Sequence, residues 1–197
     1  KLQPLSGISF VKTIYCNENG YYQIYDSDRN GFNNPDQEWD KKDIDYLFIG
    51  DSYFHGACVN RPYDAASVLR KLSKKSVLNL SYAGNGPLIQ YATLREYMPK
   101  NVKNIYWSFF KNDLSELKHE LESEILNNYL VDLEFSQNLK YKQELIDKIV
   151  TKKITNTFID QSYAAKAKEN KILNNFKKFK FLDYFNFRKF LKLYKLR

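Results

Sequence analysis

Ser52 stands at a point in the sequence where a nucleophile would be useful. Residues 46–49 form an apolar run of strand length that stops at Gly50, Asp51 and Ser52, and such a run is typical of a buried strand in an α/β sheet. Side chains at the carboxyl end of such a strand reach the crevice where open α/β sheets bind ligands. A serine that only caps the following helix is the simpler interpretation, so the residues at the other strand ends decide between the two.

Two further apolar runs end in the same way. Residues 76–80 predict a second strand, and Gly84 and Asn85 follow it in a loop. Residues 104–110 predict a third strand, and Asn112 follows it almost at once. Because the carboxyl ends of parallel strands meet at one edge of a sheet, we expect these residues to lie close to the serine of the first strand.

The three strand ends together supply the groups that acyl transfer requires. A nucleophile needs hydrogen-bond donors aimed at the developing oxyanion. The N–H of Ser52, the N–H of Gly84 and the side-chain amide of Asn112 would form such an oxyanion hole. The neighbouring residues that we expect to support them are Asp51, Asn85 and Asp113. The alternative is that serine, glycine and asparagine are ordinary turn residues here.

Helical patterns separate the three predicted strands. Residues 64–72 have apolar positions at helical spacing, and Asp64 is able to cap the start of that helix. Residues 87–97 repeat the pattern, with a proline suited to the first turn. Strands that alternate with helices indicate right-handed βαβ units and a parallel sheet. The sequence therefore predicts an α/β fold with a partial parallel sheet of about three strands.

We divide the chain into four segments. Residues 1–40 are irregular, with a short strand expected at 21–25. Residues 41–113 form the α/β core, and residues 114–162 are helical. Residues 163–197 form a basic, aromatic-rich helical tail. No apolar run approaches the roughly 18 residues that a transmembrane helix needs.

The positive charge of the chain is concentrated in residues 163–197. This tail carries 11 basic and 2 acidic residues, and its net charge of +9 leaves the rest of the chain at −1, since the total is +8. A neutral body argues against nucleic-acid binding, and the phenylalanines of the tail fall on no recognition module. We interpret the tail as an amphipathic helix that docks on protein, with contact to a membrane surface as the alternative.

Cys16 and Cys58 are the two cysteines, and no C-x-x-C pair or zinc-binding spacing accompanies them. They are either two buried thiols or one disulfide of an exported protein. Residues 26–31 begin like a calcium loop, but the twelfth position is Gln37 instead of the bidentate glutamate that such loops require. We therefore interpret residues 26–31 as a tight polar turn and expect neither a metal nor a cofactor.

Four short motifs resemble those of the SGNH (GDSL-type) hydrolases. Gly50-Asp51-Ser52 is similar to the block that carries the nucleophilic serine, and residues 79–84 resemble the second block, with its glycine five residues after an asparagine. Lys111-Asn112-Asp113 is similar to the G-x-N-D block, and residues 31–35 resemble the segment that precedes the serine in bacterial members. The order and spacing match over residues 30–113.

The resemblance implies a flavodoxin-like three-layer α/β/α fold. It also implies a serine esterase or O-acyl hydrolase that acts on a small-molecule or glycan ester and needs no cofactor. In the family pattern Ser52 is the nucleophile, and Gly84 and Asn112 are oxyanion donors. Many bacterial members act outside the cytoplasm, which favours an extracytoplasmic location.

The chain departs from the family pattern in two ways. Phe110 replaces the glycine of G-x-N-D, which narrows the expected oxyanion pocket. The D-x-x-H block that supplies the triad aspartate and histidine is absent, because Ser52 and Glu116 stand three residues before His55 and His119. We therefore expect the chain to be the amino-terminal part of a longer hydrolase and to be nearly inactive on its own. A less favoured alternative is that His55 is a substitute base.

Two other functions stay open at this level. An SGNH-like module that has lost the chemistry would keep the pocket and bind a carbohydrate or another ligand. A membrane-surface adaptor would act through the basic tail at residues 163–197.

Overall fold

The computed structural model describes residues 2–18, 20–159 and 161. The chain divides into two compact units, Lys1–Thr151 and Lys152–Arg197. In the second unit residues 152–159 and 161 are helical, and the tail predicted at residues 163–197 lies outside the described residues. No helix in the described part of the chain is long and apolar enough to cross a membrane.

The first unit is a mixed α/β structure. Its strands are β1 (Lys12–Ile14), β2 (Ile24–Asp26), β3 (Ile44–Ile49), β4 (Val77–Asn79) and β5 (Val102–Trp107). Its α-helices are α1 (Ser52–His55), α2 (Ala65–Ser73), α3 (Pro87–Tyr97), α4 (Asp113–Glu120), α5 (Glu124–Val131) and α6 (residues 143–151). Short 3₁₀ helices occupy Asp36–Asp40 and Leu139–Tyr141.

The three predicted strands form one parallel sheet in the order β4-β3-β5. Leu47 of the central strand pairs with Leu78 on one side and Ile105 on the other. The prediction of a three-stranded parallel sheet is therefore confirmed, although β5 ends at Trp107, three residues before its predicted end. A separate antiparallel hairpin of β1 and β2 lies in the amino-terminal segment, where β2 overlaps the strand expected at residues 21–25.

The helices between the strands begin as their sequences indicate. The carboxylate of Asp64 caps α2, and Pro87 occupies the first turn of α3. After β5 the helical segment predicted at residues 114–162 is interrupted. Ser123 begins a new helix there, because its hydroxyl accepts a backbone N–H in the first turn of α5.

The larger of two apolar clusters extends through the first unit and includes β3, and a smaller one holds Phe48, Ala66 and Val77. Ile44, Leu47 and Ile49 of β3 are almost completely buried. The other buried members of the larger cluster are Leu5, Phe32, Leu78, Leu80, Leu88, Ala92, Tyr97, Leu126, Tyr129, Leu139 and Ile146. Residues that precede and follow the predicted α/β core (41–113) in the sequence thus pack against the sheet and hold its strand ends in place.

The polar turn at residues 26–31 is organised by the buried carboxylate of Asp28. Four N–H groups donate to this carboxylate at 2.8–3.0 Å, and they belong to Asn30, Phe32, Asn34 and Trp39. Both carboxylate oxygens therefore accept hydrogen bonds from nitrogen donors. This arrangement supports the interpretation of residues 26–31 as a tight polar turn.

Asn34 joins the amino-terminal segment to β4. Its Oδ1 accepts the backbone N–H of Asn79 at 2.9 Å, and its Nδ2 donates to the Asn79 carbonyl oxygen at 2.8 Å. The Arg70 guanidinium also donates to Oδ1, at 2.9 Å. Two of the motifs that carry the family resemblance, residues 31–35 and 79–84, thus contact each other, and their asparagines position the backbone.

Cys16 and Cys58 form a disulfide, with their Cα atoms 5.2 Å apart. The bond links the β1–β2 hairpin to the segment that follows α1. Gln23 reinforces this link, because its side chain donates to the Gly56 carbonyl oxygen at 2.7 Å and accepts the Cys58 N–H at 3.0 Å. Of the two interpretations of the cysteines, the structure therefore supports the disulfide.

We expect the double substitution Cys16→Ser/Cys58→Ser to destabilise the chain. With 42 residues separating the two cysteines, the loss of the cross-link lowers the free energy of unfolding by about 4 kcal/mol on the chain-entropy estimate. Urea unfolding of the wild type with and without dithiothreitol measures the effect, and the double variant is the control because it lacks the bond. An unfolding midpoint of the wild type that does not change with reductant would contradict the prediction.

Candidate active site

The carboxylate of Asp51 joins the three predicted strand ends. Asp51 follows β3 and is only 5% exposed. Its Oδ1 accepts the N–H of Gly84 at 2.6 Å, and its Oδ2 accepts a hydrogen bond from Asn112 Nδ2 at 3.0 Å. The loops that follow β4 and β5 therefore meet at one edge of the sheet, beside the turn that holds Ser52.

Gly50 allows β3 and β5 to end side by side. A Cβ atom at this position would lie 2.3 Å from Ser108 Oγ, which is far closer than real carbon contacts. The two strand ends are also joined by a hydrogen bond of 3.0 Å from the Ser108 N–H to the Ile49 carbonyl oxygen. A larger residue here would displace the Ser108 hydroxyl, and its Cβ would still lie only 3.3 Å from the Ser108 carbonyl oxygen, so packing between the neighbouring strands favours glycine.

Ser52 is the first residue of α1 and is partly exposed. Asp51 occupies the N-cap position, so the interpretation of Ser52 as a helix cap is wrong. The Ser52 hydroxyl donates to Asp51 Oδ2 in a long hydrogen bond of 3.5 Å. Within the described residues the backbone N–H of Ser52 donates to no acceptor. A weakly held hydroxyl and a free N–H are what a nucleophile with one oxyanion donor requires.

The amide of Asn112 is held between two carboxylates. Its Nδ2 donates to Asp51 Oδ2 at 3.0 Å and to Glu116 Oε1 at 2.8 Å. An amide nitrogen carries two hydrogens, so both are used. The N–H of Gly84 is likewise used by Asp51. The structure thus brings the predicted oxyanion donors together, and it directs those of Gly84 and Asn112 at carboxylate oxygens.

Asp113 and Glu116 extend the site along α4. Asp113 is 2% exposed, and its Oδ2 accepts the Phe110 N–H at 2.8 Å at the start of the helix. Glu116 was not among the predicted site residues. Its position four residues after Asn112 on a predicted helix is the sequence signal that would have indicated their contact.

Asn85 supports the loop after β4 through its backbone. Its N–H donates to the Tyr82 carbonyl oxygen at 3.2 Å, and its own carbonyl oxygen accepts Gln90 Nε2 at 2.7 Å. The Gln90 side chain in turn accepts the Trp107 indole N–H at 2.7 Å. This chain of hydrogen bonds fixes the loop against α3 and the end of β5.

His55 is fully buried in a cage of aromatic side chains, against Tyr15, Tyr25 and Tyr82. Its Nε2 is 3.1 Å from the Tyr25 hydroxyl, and its Nδ1 has no hydrogen-bond partner within the described residues. Burial lowers the pKa of His55 to about 4. Because neither ring nitrogen bonds the Ser52 hydroxyl, the alternative of His55 as a substitute base is wrong for this arrangement.

His119 and Phe110 are both exposed. His119 lies in the last turn of α4. The ring of Phe110 packs against that of Tyr53, with their centroids 4.9 Å apart, and each ring is more than half exposed. The residue that replaces the glycine of G-x-N-D therefore forms an aromatic pair with the neighbour of Ser52 on the outside of the site.

No family model, no curated protein and no solved structure matches the chain.

We expect Asp51→Asn to destabilise the first unit. An asparagine side chain has one acceptor oxygen, so its amide nitrogen would face either the N–H of Gly84 or the amide of Asn112, and the free energy of unfolding would fall by about 2 kcal/mol. Urea unfolding measures this loss, and Asp43→Asn on the exposed surface is the matched control. Equal stabilities of the two variants would contradict the role of Asp51.

Because His55 is buried, we expect the free energy of unfolding to fall in mild acid. The folded histidine stays neutral down to about pH 4, whereas the unfolded one takes up a proton near its ordinary pKa of 6.5. Between those values the unfolded state binds more protons, so the free energy of unfolding decreases by about 2 kcal/mol between about pH 7 and about pH 5. Urea unfolding at the two pH values checks this, and His55→Gln should lose that part of the pH dependence. An identical pH dependence in the variant would contradict it.

Proposed function

We propose that Ser52 is the nucleophile of a serine hydrolase that cleaves ester (O-acyl) bonds in a small-molecule or glycan substrate. The observation that carries this proposal is the hydrogen-bonded set at the sheet edge. A single carboxylate, that of Asp51, holds the loops of Gly84 and Asn112 beside the partly exposed hydroxyl of Ser52. These are the three residues that the resemblance to SGNH hydrolases marks as nucleophile and oxyanion donors.

The proposed fold is the flavodoxin-like three-layer arrangement. The strand order β4-β3-β5 supports it, because it is the beginning of the order 2-1-3 of flavodoxin-like sheets. In such sheets ligands bind outside the carboxyl ends of the strands where the order reverses. Ser52 follows β3, the strand at which the order reverses here.

In the proposed reaction the Ser52 Oγ forms a bond to the ester carbonyl carbon, and its proton passes to a general base. The carbonyl oxygen takes the negative charge and accepts the N–H of Ser52. Gly84 becomes a second donor when its N–H leaves Asp51 and bonds the oxyanion instead. Asn112 becomes a third when one of its amide hydrogens leaves Asp51 or Glu116 for the oxyanion. The alcohol leaves with a proton, and water then releases the acyl group from the serine.

The general base of this reaction is proposed to lie outside the described residues. His55 is turned to Tyr25, and His119 is exposed in the last turn of α4. Loss of the histidine of a serine triad costs on the order of 10⁶-fold in kcat. The oxidising compartment that the Cys16–Cys58 disulfide favours agrees with an extracytoplasmic hydrolase.

A binding module that performs no chemistry is the second candidate. The observation that favours it is the hydrogen bonding of Gly84 and Asn112, whose donors are satisfied by carboxylates. The exposed ring pair of Tyr53 and Phe110 offers a surface on which a sugar ring can stack. In this case ligand binding would not depend on the hydroxyl of Ser52.

We expect Ser52 to accept an acetyl group without steady turnover. When the 197-residue chain is incubated with p-nitrophenyl acetate and imidazole as a diffusible base, peptide mass spectrometry should find acetyl-Ser52 in the wild type. The matched control is Ser123→Ala, which removes a serine that caps α5 and donates to Gln3, and it should be acetylated at Ser52 like the wild type.

The outcomes separate the candidates. Acetylation that is no greater at Ser52 than at surface lysines would reject the nucleophile and favour the binding module. Rapid turnover of p-nitrophenyl acetate without imidazole, lost in Ser52→Ala, would show that this chain already holds its base. Slow acetylation of Ser52 without turnover supports the proposed function.

A further inference from the structure

Three acidic side chains converge at the sheet edge. One carboxylate oxygen from each of Asp51, Asp113 and Glu116 lies within 4.8 Å of the other two. Asp51 comes from the turn after β3, and the other two come from the first turn of α4. Two elements that are far apart in the sequence thus place three negative groups around one point.

Two oxygens of this cluster are buried without a hydrogen-bond partner. They are Oδ1 of Asp113, a residue that is 98% buried, and Oε2 of Glu116. Buried carboxylate oxygens normally accept hydrogen bonds, and a buried oxygen without a donor is costly. Each of these two oxygens therefore has an acceptor position that no donor within the described residues fills.

Several other buried carboxylates among the described residues are satisfied by donors, although Oδ2 of Asp64 also lacks a partner. Asp28 accepts from four N–H groups, as described above. Glu96 accepts from Tyr129 Oη, Ser136 Oγ and the backbone N–H groups of Gln137 and Leu139. Glu120, on the same helix as Glu116, accepts the backbone N–H groups of Gly86 and Leu88. Asp113 and Glu116 differ from these satisfied acids, and unlike Asp64 they lie within a group of three carboxylates.

Positive charge is also missing from the cluster. None of the ion pairs formed within the described residues includes Asp51, Asp113 or Glu116. The hydrogen bonds from Gly84 and Asn112 are made by neutral donors. Three carboxylates at this separation repel one another, and a bound cation would relieve that repulsion.

We propose that a hard divalent cation, Ca²⁺ or Mg²⁺, binds between Asp51, Asp113 and Glu116. Carboxylate oxygens are the ligands that both ions prefer, and the cluster contains no histidine or cysteine that would favour zinc. Asp113 Oδ1 and Glu116 Oε2 supply the unused acceptor positions, the Asp51 carboxylate supplies the third ligand, and water completes the coordination. The partly exposed Asn112 and the exposed Gly84 leave a route from solvent. This site does not depend on whether Ser52 is a nucleophile.

Isothermal titration calorimetry of the metal-free 197-residue chain tests the proposal, with CaCl₂ and MgCl₂ as separate titrants. We expect one ion to bind per chain, with a rise in the midpoint of thermal unfolding. Asp113→Asn and Glu116→Gln should each weaken binding at least about tenfold, because each removes a charged ligand. Glu116→Gln keeps an oxygen that can accept from Asn112, so it preserves the local hydrogen bond.

The matched control is Glu122→Gln, an exposed acid in the segment between α4 and α5, and it should bind the ion like the wild type. Circular dichroism confirms that each variant is folded, and Glu116→Gln decides the outcome if Asp113→Asn does not fold. Two results would overturn the proposal. One is no heat and no thermal shift with either salt at millimolar concentration. The other is equal binding by the wild type and both site variants.

Discussion

The geometry of the site depends on one buried negative charge, the carboxylate of Asp51. A carboxylate removed from water at the end of the central strand is unfavourable unless donors surround it. The loops after β4 and β5 supply those donors through the Gly84 N–H and the Asn112 amide. The loops thus hold their positions because the carboxylate requires them there. The charge that organises the site also competes for the donors that an oxyanion would use.

Buried carboxylates have the same organising role elsewhere in the chain. Asp28 accepts four N–H groups from within and after the polar turn, Glu96 binds the loop around Gln137, and Glu120 caps the start of α3. In each case an acidic side chain satisfies backbone groups that a loop or helix end leaves unpaired. This gives long connections a defined conformation without a large apolar core of their own. The pattern is incomplete at Asp113 and Glu116, and also at Asp64, where one buried oxygen has no donor.

The strands and helices of this structure could be predicted from the sequence. The contacts between residues that are far apart in the sequence could not. The three strands and the helices between them follow from apolar runs and turn residues, and their parallel order places Gly84 and Asn112 beside Ser52. The same reasoning could not show that Asp51 would use their donors, because that depends on ångström-scale distances between loops. It could not decide whether Cys16 met Cys58, for the same reason. The segment after β5 is divided into α4 and α5 because Ser123 caps the start of α5. That role depends on where its hydroxyl lies, which the sequence does not show.

The glycine before Asp51 has a consequence for how sequences of this kind diverge. Gly50 is favoured because Ser108 of the neighbouring strand end lies where a Cβ would stand, and Asp51 is favoured because two loops are bonded to it. Folding alone therefore favours both residues, whatever the role of Ser52. The Ser52 hydroxyl makes only one long hydrogen bond, to Asp51, so folding places little constraint on it. Under the proposed function, the serine is the part of the motif that reactivity would maintain.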